Sequence, residues 1–144
     1  MDYEKSAIEL LKLRAELVHV PGNRKINEYT HGEYFVLTYL LSHDGKAYPK
    51  ELSREMAVSS ARIAALLNQT EKKGWTARTA DPENSRQTVV NLTEEGHRAI
   101  IEKQTETFDM TVDILKALGE RDTEELLRIK RKIVAYQKSK GDDR

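Results

Sequence analysis

Apolar residues recur at helical spacing from the start of the chain. Tyr3, Ala7, Leu10, Leu11, Leu17 and Val18 fall on one stripe, which predicts a helix within residues 1–20. Pro21-Gly22-Asn23 is expected to end it. A second helix is expected to open at Thr30-His31-Gly32-Glu33, a T-x-x-E capping box ahead of Tyr34-Phe35-Val36-Leu37 and Tyr39-Leu40-Leu41. His43-Asp44-Gly45-Lys46 reads as a turn. Ala47-Tyr48 reads as a short extended piece, because the residue before a proline avoids the helical region. Pro49 then opens a two-turn helix, 49–56, where its missing N–H does no harm. Past a tight turn at Ala57-Val58, Ser59 caps a further helix. Ile63, Leu66, Leu67 and Thr70 form its inward stripe and Gly74 stops it.

The period changes next. Residues 76–80 and 87–92 read as two strands joined by Asp81-Pro82-Glu83-Asn84-Ser85-Arg86. Thr93 caps a long helix, 94–118, with Ile100, Ile101, Phe108, Thr111, Val112, Leu115 and Leu118 along one side. Gly119 breaks it. Asp122-Thr123-Glu124-Glu125 starts a last helix carrying Leu126, Ile129, Ile133, Val134 and Tyr136, and the polar tail from Lys138 to Arg144 is expected to fray. Two consecutive short helices with a tight turn make a helix-turn-helix, and a hairpin directly after the second adds a wing. The fold class expected is therefore mainly α (α+β), in one domain of 144 residues: a winged helix-turn-helix over 30–100, with long terminal helices at 1–20 and 94–138. Those helices are too apolar to face water. They are expected to form a homodimer around a two-fold axis, the commonest assembly; folding back onto their own domain is the alternative.

Composition narrows the chemistry. Charged residues make up 33% of the chain, which suits long helices with one wet face. There is no cysteine, so disulfides, thiolate metal sites and cysteine redox sensing are excluded. No apolar run approaches the roughly 20 residues that span a bilayer, so no membrane partner and a cytoplasmic location are expected. Of His19, His31, His43 and His97, no two share a helix at metal spacing, and no metal is expected. With no glycine-rich phosphate loop and no paired-carboxylate motif, neither a cofactor nor an enzymatic function is expected. Charge balances at 24 basic against 24 acidic residues, and only 46–100 carries a surplus, nine against seven. Any phosphate contact must come from placement, not from bulk field.

Placement points to double-stranded DNA with a pseudo-palindromic operator. Arg62 stands one turn into the second helix of the helix-turn-helix, after Ser59, Ser60 and Ala61. An arginine there can pair bidentately with guanine O6 and N7 in the major groove. The serines and the backbone N–H groups of the helix start can donate to phosphate. Arg86, beside Asn84 and Ser85 at the hairpin tip, suits a narrow minor groove. An ion pair from Arg86 to Asp81 that braces the loop is the alternative. Lys50 and Arg78 are further phosphate contacts, although a wet charged face explains them nearly as well.

Three features together resemble the multiple-antibiotic-resistance regulator (MarR) family: "EKKGW" closing the proposed recognition helix, the aspartate-then-arginine hairpin Asp81 to Arg86, and "NLTEEGHRAI" leading into a long helix. The resemblance is strongest over about residues 30–118. It implies a homodimeric transcription factor, usually a repressor, relieved by a small ligand or by oxidation, and the missing cysteine speaks against the oxidation branch. Trp75 and Thr70 stand where the family usually has aliphatic residues, and Ala65 where it often has a polar one. A small aromatic or acidic effector would occupy the crevice between dimer body and reading head. His19, Tyr34 and Phe108 are its candidate lining, chosen for position and polarity. The competing expectation is a winged-helix protein-interaction module that does not bind DNA.

Overall fold

The computed structural model describes residues 1–141. The element order is α1 (Tyr3–Val18), α2 (Pro21–Glu28), α3 (Gly32–Ser42), β1 (Lys46–Ala47), α4 (Pro49–Met56), α5 (Ser60–Lys72), β2 (Thr76–Ala80), β3 (Thr88–Leu92), α6 (Glu94–Leu118) and α7 (Glu120–Gly141). Contacts divide the chain into a unit spanning Met1–Thr107 and a second that begins at Phe108, within α6. No described helix is long and apolar enough to cross a membrane.

In the first unit, β3 is the central strand, with β1 and β2 antiparallel on its two sides. Ala47 pairs with Val90, and the hairpin runs in register from Thr76↔Leu92 to Ala80↔Thr88. The core lies where helices meet this sheet: Val36 and Leu40 of α3, Leu52 of α4, and Ile63, Leu66 and Leu67 of α5 close over Ala47 and Val90. All four residues of the expected α5 stripe are buried, Thr70 included. Thr70 keeps a place in an apolar core because its hydroxyl meets that of Thr76 at 2.7 Å, so both buried oxygens are paired. Ala57 adopts the left-handed conformation (φ 52°) and supplies the turn between α4 and α5. Thr93 caps α6 by accepting the Gly96 N–H at 3.0 Å. Gly96 itself is required there, since a methyl group on it would overlap the Trp75 carbonyl.

The structure corrects the sequence reading at three helix ends. Pro21-Gly22-Asn23 does more than stop α1: Pro21 opens α2, an eight-residue helix that the breaker reading missed. Proline and glycine are breakers in a helix interior, but proline at the first position is preorganised for a helix. The Thr30–Glu33 capping box does not form. His31 is the N-cap, the Thr30 hydroxyl donates back to the Asn27 carbonyl, and the Glu33 carboxylate is drawn instead into an ion pair with Lys73. The last helix begins at Glu120, ahead of Asp122, and continues through Lys138 to Gly141 where fraying was expected. Residues 142–144 of that expected tail lie outside the described residues.

Polar contacts tie α2 and its C-cap to α6. Lys103, only 5% exposed, donates to Glu28 at 3.1 Å, Lys25 pairs with Glu106 at 3.3 Å, and the Gln104 amide donates to the Tyr29 hydroxyl at 3.1 Å. α1, by contrast, buries no residue. In the second unit Gly119 (φ +82°) turns the chain, the Thr123 hydroxyl donates to the Leu115 carbonyl at 3.1 Å, and α7 likewise buries no residue.

Candidate nucleic-acid interface

α4 and α5 are the helix-turn-helix, and α5 is its second helix. Its first turn is built for exposure. Ser59 accepts the Arg62 N–H at 3.1 Å and so caps the helix, while the Ser60 and Ala61 N–H groups have no intrahelical carbonyl to reach. Ser59, Ser60, Ala61 and Arg62 are all exposed, because the stripe that holds α5 down begins at Ile63. Nothing among the described residues hydrogen-bonds the Arg62 side chain. Lys50, on the first turn of α4, is also exposed. It lines one hollow of about 440 Å³ together with Ser60 and Arg78, between α4, α5 and β2.

Arg78 has a second task. Its guanidinium donates to both carboxylate oxygens of Glu71, at 2.6 and 2.8 Å, and to the Asn68 side-chain carbonyl at 2.7 Å. The hydrogen bonds from Arg78, with the attraction of its charge, hold the Glu71 carboxyl below its ordinary range, and Glu71 in turn raises Arg78. β2 is thereby clamped to the rear half of the recognition helix, so Arg78 is a brace whose remaining donors alone are open to a phosphate.

The wing tip is the opposite case. Asn84, Ser85 and Arg86 are exposed. The loop turns on itself: the Asn84 side-chain carbonyl accepts the Arg86 N–H at 3.2 Å, the Asn84 backbone carbonyl accepts the Gln87 N–H at 2.9 Å, and the Asp81 N–H donates to the Gln87 carbonyl at 2.9 Å. The expected alternative, an ion pair between Arg86 and Asp81, is absent. Asp81 is buried and its oxygens are taken by the Tyr48 hydroxyl at 2.5 Å and the Glu83 N–H at 3.0 Å. The Tyr48 hydrogen bond, seconded by the backbone donors, lowers the Asp81 carboxyl, while the same bond, with burial, raises the Tyr48 hydroxyl. The Arg86 side chain therefore carries its charge at the tip without a protein partner among the described residues. Tyr48 is the residue that sequence reasoning missed. It lies 33 positions from Asp81, and nothing local signals a partner so far away.

The three residues expected to line an effector crevice differ in setting. Tyr34 is half-buried, with its ring 5.7 Å from that of Trp75 and the Lys103 ammonium 5.0 Å from its centroid. It lines a hollow of about 360 Å³ with Glu28, His31, Glu33, Arg62, Leu66 and Gln69, whose walls include neither His19 nor Phe108. His19 is the exposed C-cap of α1, and Phe108 is 67% exposed.

Residues 33–118 match the family model described as the winged helix DNA-binding domain. No curated protein matches the chain. Solved structures match over most of its length. A MarR family protein from Bacillus stearothermophilus is 23% identical, with 94% of this chain and 97% of that one covered at a TM-score of 0.70. The organohalide-sensing regulator RdhR, in its 2,4-dichlorophenol-bound form, is 14% identical over 94% and 82% of the two chains, with a TM-score of 0.67. A MepR mutant from S. aureus, bound to an oligodeoxyribonucleotide, is 17% identical over 92% and 97%, with a TM-score of 0.61. The matched model covers residues 33–118, more than half of the chain, so this protein belongs to the winged helix DNA-binding domain family, and its fold is that of the MarR-type structures.

Proposed function

We propose that this protein is a homodimeric, sequence-specific DNA-binding transcriptional regulator, a repressor whose operator affinity a small effector adjusts. The observation that carries the reading is the pair of unpartnered arginines on braced supports: Arg62 on the capped, exposed first turn of α5, and Arg86 at the tip of a wing tied down at its stem. Ser59, Ser60 and Ala61 present backbone and hydroxyl donors to phosphate beside Arg62. Lys50 adds a cation on the same hollow, Arg78 stiffens the head, and Asn84 and Ser85 accompany Arg86. MepR, of the same fold, is bound to an oligonucleotide, which supports the assignment.

Homodimerisation is supported by the apolar stripes left open at both ends of the chain. Leu10 is 67% and Leu11 62% exposed on α1, and Ile133 46% and Val134 50% on α7. A second copy is the occupant that would cover them, and a two-fold pair of heads suits a pseudo-palindrome. Effector control is supported by the hollow that Tyr34 shares with Arg62, since a ligand seated there would bias the presentation of a reading arginine. The dichlorophenol bound by RdhR supports a small aromatic ligand.

Selection of duplex DNA from a random pool tests the reading. Recovery of a pseudo-palindrome with half-sites about 10 bp apart supports it. Retention of no sequence at low salt would overturn it in favour of a winged helix that binds protein.

A further inference from the structure

The stem of the wing is tied to the helix-turn-helix by a short chain of side chains. Asp81 is 7% exposed, although the loop residues 82–87 that follow it are all exposed. It takes its hydrogen bond from Tyr48, which is the N-cap of α4. The Tyr48 N–H donates to one oxygen of Glu51 at 3.1 Å, and the Tyr39 hydroxyl donates to the other at 3.0 Å. Tyr39, Glu51, Tyr48, Asp81 and the Glu83 N–H thus form one polar path from α3 through the head of α4 into the wing loop. The strand ladder ends at Ala80↔Thr88. Past it, among the described residues, backbone bonds close the loop on itself, and the Tyr48 hydroxyl links the loop to the helix-turn-helix through a side chain.

We propose that Tyr48 is a positioning residue for DNA binding: through Asp81 it fixes the stem of the wing to α4, so that Arg86 is presented at a set distance from Arg62. The proposal rests on the reading of this surface as a DNA interface. A phenol donating to an ionised carboxylate makes a short, directional bond, and a loop fixed before binding loses less freedom on binding. Tyr48→Phe removes the donor and keeps the ring.

The test is a double-mutant cycle on the selected duplex with Tyr48→Phe, Arg86→Ala and the pair, beside amide exchange of the free protein. Tyr48→Phe is expected to weaken binding about fivefold when Arg86 is present and to add little when it is absent. In an Arg62→Ala background it should still cost its full amount. A merely structural role would weaken binding in every background alike. Exchange of the Glu83 amide should quicken while that of α5 holds, and Asp81→Asn should reproduce both effects. Additive penalties, or an unchanged Glu83 amide, overturn the positioning role while leaving the DNA reading intact. Failure of the unsubstituted protein to bind any duplex overturns the DNA reading itself, and with it the role of Tyr48 in DNA binding.

Discussion

At the scale of single residues, Arg62 and Arg86 look alike in the sequence and differ in what they can read. Arg62 emerges from the exposed helix start that the proposal seats in a major groove, where a bidentate guanine contact is within its chemistry. Arg62→Ala is expected to cost about 1–3 kcal/mol on the selected operator and to relax preference at one position per half-site. In the proposed reading Arg86 reaches the minor groove, where width and potential matter more than base identity. Arg86→Ala should weaken operator and A·T-rich duplex alike, make the salt dependence shallower and leave the core preference intact. Titration of both variants against operator, half-site variants and random duplex at two salt concentrations checks the contrast. Equal losses from both variants at every sequence would refute it. The placement of these residues was legible from the sequence because it depends on local rules: a serine cap, an inward stripe beginning at Ile63, and a loop of turn-formers around an arginine. The partners of Asp81 and Arg78 were not. Each is chosen by which side chain the tertiary fold brings close, and Asp81 is bound by the tyrosine that caps α4, not by the arginine five residues away.

At the scale of elements, most of the sequence pattern survives in the fold, with α4 through α6 placed nearly to the residue. Their ends carry strong local signals: Pro49, Ser59, Gly74, Thr93 and Gly119 each act where backbone geometry asks for them. The misses came where one residue type serves two purposes. Pro21 both interrupts and initiates, and Glu33 could serve a cap or an ion pair. The joint between α5 and β2 yields a prediction about pH. Glu71 is lowered by Arg78, so the stability from its ionised form is fully present above the ordinary carboxylate value, about pH 4.3. It is lost as pH falls through the lowered folded value, because the unfolded chain takes up the proton first. Arg78→Gln should therefore lower stability by about 1 kcal/mol at neutral pH, the pair being about a third exposed and screened accordingly. Urea unfolding at pH 7 and pH 3 measures it. The difference from the unsubstituted protein should shrink at the acid end, and a difference that grows there would rule out the linkage.

At the scale of the whole molecule, the expected two-fold assembly makes its own predictions. Leu10→Glu should yield a monomer in light scattering at micromolar concentration, because a charge buried against an apolar partner has nothing to pair with. A Leu10→Glu protein that keeps twice the chain mass would remove α1 from the interface. Total charge gave no sign of the proposed nucleic-acid partner at this scale, since 24 basic and 24 acidic residues cancel in the sum. The bare stripe of α1 has one more consequence. A 16-residue helix with no buried side chain is only marginally stable by itself in water. If a second copy supplies its missing surface, dilution will do more than separate subunits: it will melt the helix. Ellipticity at 222 nm should then fall as protein concentration drops through the dissociation range, and the melting temperature should rise with concentration. Helical order at the N-terminus would become a gauge of how much of the protein is present, and a weakly expressed chain would lose the paired heads that a palindrome requires.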